Sequence, residues 1–399
     1  MGNVKISKYH ILFALLIVPF FKPVGIAYYP LINKIFQMWK LVSLCCSVIV
    51  IAYVSKLNIS RSKSYVGLLG LIIFEIIYVI NTVVASNPVG DILNNSVTNV
   101  VLLWLVYVLS CSQYKLHFLK AVNIVFSIDI WLHIFSVVLA AIGHPVFEVI
   151  EGGNTYLFGR DNYSAFTLLP MLGVVLYTDV ILYGVCYRQR LNAYILCFAL
   201  TFCFFYTNSA TAMLAFFVET CLVIFTSIRK ELMKFLTTKR IIILIGLFLI
   251  GIVVFHVQEH FAYFLSVAFN KGEKGITLNS RTIIWDMALD LIMQRPVFGW
   301  GALSQKQISN YVLYGVGHAH NIIFEILLRS GFVGLISYVW FLIWPYRDKF
   351  AILRSRANIL LATLASYLFL TIMDFYPLLQ AQYCMMGLIY CWKNFEQDI

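Results

Sequence analysis

Apolar runs separated by short polar stretches fill most of this chain. A helix needs roughly 20 mainly apolar residues to cross the hydrocarbon of a bilayer. Runs of that kind lie near 9–29, 35–54, 65–85, 97–112, 119–142, 164–186, 191–207, 209–228, 241–257, 321–345, 358–374 and 378–392. The pattern predicts twelve spans, so the expected fold class is an all-α integral membrane protein. Pro19, Lys22 and Pro23 interrupt the first run, and no small-residue cleavage site accompanies it. It reads as a retained, broken span rather than a signal peptide.

Two polar connections stand out. One covers 143–163; the other, 258–320, is too long for a simple connector. Within the second, RTIIWDMALDLIMQRP places Ile284, Met287, Ala288, Leu291 and Ile292 at helical spacing. That spacing predicts an amphipathic helix lying on the membrane face or packed on the spans. Asn279 or Ser280 would cap it, Pro296 would end it, and Gly299-Trp300-Gly301 would turn the chain. A second short helix is expected near 303–313. The domain division is then 1–257 with nine spans, 258–320 as the loop, and 321–399 with three spans.

Composition and charge sharpen this picture. The chain is 61% hydrophobic and 12% charged, against about 45–50% and about 25% in soluble domains. A net charge of +11 would point to nucleic acid on a soluble protein. Here it reports topology, because cytoplasmic loops collect Lys and Arg. With both termini inside, 19 of the 29 basic residues fall on cytoplasmic segments, and the long loop lies outside. No nucleic-acid partner is expected. The nine cysteines sit in or beside apolar runs and form no disulfide or zinc pattern.

The densest polar chemistry is GHAHNIIFEILLRSGFVG, residues 317–334. Asn321 is placed to cap the tenth span, where free N–H groups carry partial positive charge. His318 and His320 read either as interfacial loop residues or as site residues. A metal needs a third ligand, and neither a cysteine nor a paired carboxylate stands nearby in sequence. Glu325 and Arg329 share one helix face, as a structural ion pair or a cavity lining. Gly331 and Gly334 would let a neighbouring helix approach closely. Glu75, Asp129, His133 and Glu219 are further ionisable groups within spans, each lining a cavity or packed and hydrogen-bonded. Asp374, at the outer end of the eleventh span, is better placed to meet a substrate from outside. Arg281, near the start of the amphipathic helix, suits a phosphate or a lipid headgroup. Arg160, beside Asp161 and Asn162, carries the same two readings.

The string SRTIIWDMALDLIMQRPVFGWG followed by HAHNIIFEILLRSGFVG resembles the signature region of the O-antigen ligase/polymerase superfamily, which includes Wzy-type polysaccharide polymerases. The shared positions are Ser280, Arg281, Trp285, Pro296, Gly299, Gly301, His320, Asn321, Gly331 and Gly334. Around Arg160 and at Ser209-Ala210 the chain departs from the family pattern. The resemblance implies a GT-C-like architecture in the bacterial inner membrane. It implies a glycosyltransferase acting on an undecaprenyl-pyrophosphate-linked glycan, as donor and acceptor, at the outer face. On that reading Arg281, with Arg160, binds the pyrophosphate leaving group. His320 removes the acceptor hydroxyl's proton, with His318 as orienting partner or alternative base. Asn321, Trp285, Glu325, Arg329 and Asp374 support them. Neither cofactor nor metal is implied; membrane lipid, a flippase and a chain-length regulator are candidate partners. The absence of an added soluble region favours a polymerase over ligase-type transfer to another acceptor. A rival from another class is a twelve-span transporter or lipid flippase using Asp129, His133 or Glu219 as a proton relay. Such proteins usually carry internal repeats, and this sequence shows none.

Overall fold

Backbone that meets lipid must satisfy its own hydrogen bonds, which leaves helices as the economical solution for runs this apolar. The computed structural model of the chain describes residues 7–56, 65–147, 155–184, 187–228, 277–303, 318–348, 352, 355–374 and 379–396. Its helices are α1 Lys8–Ile17, α2 Pro30–Lys56, α3 Tyr65–Val84, α4 Gly90–Ser110, α5 Lys115–Ala141, α6 Asp161–Tyr183 and α7 Tyr187–Tyr206. They continue with α8 Ala210–Ile228, α9 Thr277–Gln294, α10 Ile322–Ile343, α11 Asn358–Met373, α12 Gln380–Tyr390 and α13 Trp392–Glu396. Among the described residues the only β-type pairing is a single bridge between Tyr156 and Gly159.

Six of these helices are long and apolar enough to cross a membrane, within α2, α3, α4, α5, α6 and α10. Shorter apolar helices cover Lys8–Phe21, Leu191–Tyr206, Thr211–Val223 and Asn358–Ile372. The protein is a multi-pass, all-helical membrane protein. The expected ninth span, 241–257, and residues 304–313 of the expected second loop helix lie outside the described residues. The first run breaks where its prolines stand: α1 gives way to 3-10 turns at Val18–Phe21 and Val24–Tyr28. The fourth span is longer than its apolar core predicts, because Asn94 and Asn95 are helical and face a cavity rather than belonging to a loop.

α6 runs through the centre, with 83% of its membrane-length window buried, packed against α5, α11 and α12. α2 lies at the periphery, with 11% of its window buried. The two ends of the bundle differ in chemistry. At one end the start of α1 meets the start of α5 through His10 and His117, 3.0 Å apart. At that same end Lys115 donates to the Asn394 carbonyl at 2.6 Å, and Arg356 approaches the Val180 carbonyl at the close of α6. The first and last described helices therefore lie at the same end, each meeting the start of α5. The starts of α6, α8 and α10 and the close of α11 lie at the other.

α10 is interrupted rather than merely lined by glycine. Gly331 has φ 61° and ψ −166° inside the helix. The partner that comes close there is not a helix but the turn after α9: Phe332 N donates to Pro296 O at 2.8 Å and Trp300 N to Leu328 O at 2.7 Å. A Cβ at Gly331 would sit 2.2 Å from Val297 O, and one at Gly299 would sit 2.6 Å from Leu328 O. The end of α3 grips the same turn, with Ala302 N donating to Thr82 Oγ1 at 2.9 Å and Asn87 Nδ2 to Ala302 O at 2.6 Å. Gly331→Ala combines a left-handed backbone with a clash. It is expected to lower stability by about 1–3 kcal/mol, read as a drop in the Tm of the purified protein. Gly90→Ala, with nothing near its Cβ, is expected to leave Tm unchanged.

Candidate active site

α9 carries Arg281 and reaches the histidine loop through its apolar face. Ile284, Trp285, Ala288, Leu291 and Ile292 are buried in one cluster with Ala319, Phe324, Leu327 and Leu328. The expected amphipathic helix thus packs on the spans, against the first half of α10. Its start differs from the expectation. α9 already runs at Thr277, so Asn279 and Ser280 are inside it rather than capping it. No glycine or proline between Gly275 and Pro296 forces a later start. Arg281 lies in the second turn, and its side chain is outside the described residues.

Trp285 ties this helix to the loop by donating Nε1–H to the Ala319 carbonyl at 2.9 Å. The Ala319 N–H donates to Glu325 Oε2 at 2.8 Å. Glu325 in turn receives Arg329 Nε at 2.7 Å, and Arg329 reaches the Tyr78 hydroxyl at 3.1 Å. Glu325 and Arg329 therefore form the ion pair expected of them, and the pair also fixes the loop. Asn321 caps α10, accepting from Ile323 N at 2.9 Å and Phe324 N at 3.3 Å, while its Nδ2 donates to Ile372 O.

Between these anchors the two histidine rings stand edge-to-face, 4.1 Å apart. His320 has φ 49°, a left-handed conformation uncommon outside glycine and concentrated at functional sites. Its Nδ1 lies 2.7 Å from Asp374 Oδ1, 54 residues away in sequence at the end of α11. Asp374 is itself held: Asn162 Nδ2 donates to its Oδ2 at 2.9 Å. Asn162 Oδ1 accepts from the Ser209 hydroxyl and from Ala212 N. Sequence reasoning misses Asn162 and Ser209 as site members, since each alone looks like a helix-start residue. Arg160 occupies the cap position of α6, two residues before Asn162, at the same end of the bundle.

This grouping corrects one inference from spacing. A third metal ligand is absent near His318 and His320 in sequence, yet the fold supplies Asp374. One ligand atom from each of the three lies within 4.8 Å of the others. The 2.7 Å separation of His320 and Asp374 is a hydrogen-bond length. Two ligands on one zinc, each about 2.0–2.1 Å from it, would stand about 3.3 Å apart. At that distance His320 and Asp374 form a carboxylate–imidazole pair.

Two of the three ionisable groups named for a relay, Glu219 and His133, are packed among protein groups. Glu219 accepts from Thr363 at 2.7 Å and Ser366 at 3.1 Å, fully buried. His133 is buried among Tyr156, Phe158 and Phe204. His318 is different from His320: burial, and then the neighbouring His320, push its pKa down to about 4. An unfolded chain takes up that proton near pH 6.5, so acidification from 6.5 towards 4 favours unfolding. The Tm is expected to fall across that window, and to fall less in His318→Gln. Equal falls in both proteins would assign the acid sensitivity to other groups.

No curated protein and no solved structure matches the chain. A family model does match, over residues 195–339, a stretch that holds α8, α9, both histidines and the Glu325–Arg329 pair but neither Asn162 nor Asp374. That model is described as O-antigen ligase, so the chain carries a Wzy_C domain at 195–339, in keeping with the O-antigen ligase/polymerase superfamily its motifs resemble.

Proposed function

We propose that this protein is a polysaccharide polymerase of the bacterial inner membrane, joining undecaprenyl-pyrophosphate-linked oligosaccharide units into O-antigen, capsular or exopolysaccharide. The observation that supports this reading best is the His320–Asp374 pair at 2.7 Å, set beside the arginine-bearing α9. An acceptor sugar hydroxyl attacks the donor's anomeric carbon and gives its proton to His320 Nε2. The bond from that carbon to the pyrophosphate oxygen breaks, and the oxygen keeps the electron pair. Arg281, with Arg160 at the rim, meets the growing charge in the two-toothed manner of a guanidinium. Asp374 holds the imidazole in the required tautomer and steadies the imidazolium that forms. Attack opposite the leaving group inverts the anomeric centre, and the arginines take the place a metal would fill.

On this reading the chain spans the membrane twelve times with both termini cytoplasmic. Residues 1–257 and 321–399 form the membrane body, and 258–320 form the catalytic loop at the outer face. A flippase would deliver the substrate and a chain-length regulator would limit the product.

Incubation of purified protein with a synthetic lipid-linked repeat unit is expected to give a ladder of products. Transfer only to a different acceptor would assign ligase activity instead. His320→Ala and Arg281→Ala are each expected to abolish the ladder, and Asp374→Asn to slow it by about 10²-fold or more. A full ladder from His320→Ala would remove the base from the mechanism. Dialysis against EDTA is expected to leave the rate unchanged; loss of activity restored by a divalent metal would transfer the role to His318, His320 and Asp374 as ligands.

A further inference from the structure

A cavity of about 760 Å3 opens beside the candidate site, within the range of about 300–1,000 Å3 usual for small-molecule sites. Glu325 and Arg329 form part of its wall, which joins it to the histidine loop. Much of the rest of its polar lining comes from segments that the family match does not cover, among them Lys22 after α1, Lys40 on α2, Asn94 and Asn95 on α4, and Gln380 at the start of α12. Planar amides with paired donors and acceptors suit sugar hydroxyls.

The charges in this cavity are unequally matched. Arg329 and Glu325 neutralise each other. Glu75 is taken up by Ser96 at 2.6 Å and Asn99 at 2.9 Å. Lys22 donates to Asn33 Oδ1 at 2.7 Å, a neutral partner. Lys40 has no hydrogen-bond or ion-pair partner among the described residues, and neither lysine meets a carboxylate there at ion-pair distance. Cations within apolar spans that lack an acid of their own are a usual feature of ligand pathways.

Access from lipid is built in. α2 packs on α4 and on the turns after α1 rather than on α3 or α10, and the cavity occupies the space left between. Among the described residues, α2 is the peripheral helix on that wall, a place where a ligand with a lipid tail could enter sideways.

We propose that this cavity holds the phosphate-bearing head of a second lipid-linked glycan, the acceptor, with Lys22 and Lys40 on phosphate oxygens and the amides on sugar hydroxyls. The proposal rests on the glycosyl-transfer reading of the adjoining site, in which Arg281 and Arg160 serve the donor. Reaction between two lipid-linked glycans needs two phosphate subsites, and the lysine cavity supplies the second. The same phosphate chemistry could be met by an ordinary anionic phospholipid.

The test uses the full chain in phosphatidylcholine nanodiscs, titrated with farnesyl pyrophosphate as the probe. The wild type is expected to bind two molecules, and the Lys22→Gln/Lys40→Gln double variant one. Lys22→Gln and Lys40→Gln singly are expected to weaken the lysine-dependent event about tenfold each, with Lys40→Arg restoring it; these single variants decide the matter if the double variant fails to fold. Two-molecule binding by the double variant overturns the proposal. Loss of the lysine-dependent event when phosphatidylglycerol replaces phosphatidylcholine also overturns it, in favour of a phospholipid headgroup site. An Arg281→Gln variant that still binds two molecules would instead strike the donor assignment, leaving the lysine cavity in place.

Discussion

Irregular backbone inside a membrane protein persists only where other protein groups satisfy it, and in this chain that requirement organises everything near the histidines. α10 breaks at Gly331, and the carbonyls and N–H groups on either side of the break bond to residues 296–301. Those bonds lock the turn after α9 into α10, which fixes where α9 lies. α9 then reaches forward through Trp285 to the carbonyl between the two histidines. Arg295 stacked 4.1 Å over the Trp300 ring, and Trp300 Nε1–H donating to Leu291 O, stiffen the same joint. A residue one turn of chain away from the break would feel its loss only locally. The histidine loop would feel it through the whole α9 lever.

Asp374 does comparable work across the bundle. Its backbone N–H closes α11 on the Leu370 carbonyl, while its carboxylate bonds to His320 before α10 and accepts from Asn162 at the start of α6. Three helix ends converge on one charge, and Asn162 passes the connection to Ser209 before α8. Leaving a buried charged acceptor without its hydrogen-bond partner costs about 1–3 kcal/mol or more, so such groups hold position. Glu325 does so twice: one oxygen holds Arg329, the other holds the loop backbone at Ala319. Of the remaining buried carboxylates, Glu219 is spent on hydroxyls of α11, which accounts for its presence without any proton relay.

The all-helical membrane class was legible because apolar runs of span length leave the backbone one common solution. So was the α9 face, since Ile284, Ala288, Leu291 and Ile292 repeat at helical period and are buried as that period implies. Asn321 as a cap was legible for the same local reason. What escaped was everything decided by distant parts of the chain. Asp374 as a partner of His320 depends on how α11 packs, 54 residues on. Asn162 and Ser209 look like ordinary helix-start residues until α6, α8 and α11 are assembled. Gly331 and Gly334 in a span look like a helix–helix contact; Gly334 does face Phe74 of α3, whereas the left-handed φ of Gly331 marks a break. The start of α9 was misplaced because Asn and Ser favour caps on average, while nothing in the preceding residues obliges the helix to begin there.

A division of labour follows from where the pieces lie. The family match, 195–339, contains Arg281, His318 and His320, the groups with the means to stabilise a leaving group and move a proton. Asp374, Asn162 and the lysines and amides of the cavity lie outside it, although Glu325 and Arg329 on the cavity wall lie within. Proton transfer and phosphate stabilisation place narrow demands on residue type, because few side chains combine the needed charge and acidity. Gripping a particular sugar places demands on the arrangement of neutral amides and hydroxyls, which many sequences can meet in different ways. On the proposed reading, a chain that keeps its reactive groups in one recognisable stretch, and draws its recognition surface from α2, α4, the start of α12 and the turn after α1, can change glycan without disturbing the chemistry. The break in α10 is what allows the two to meet: it seats α9 and the histidine loop at the end of the bundle where the other helices present their polar residues.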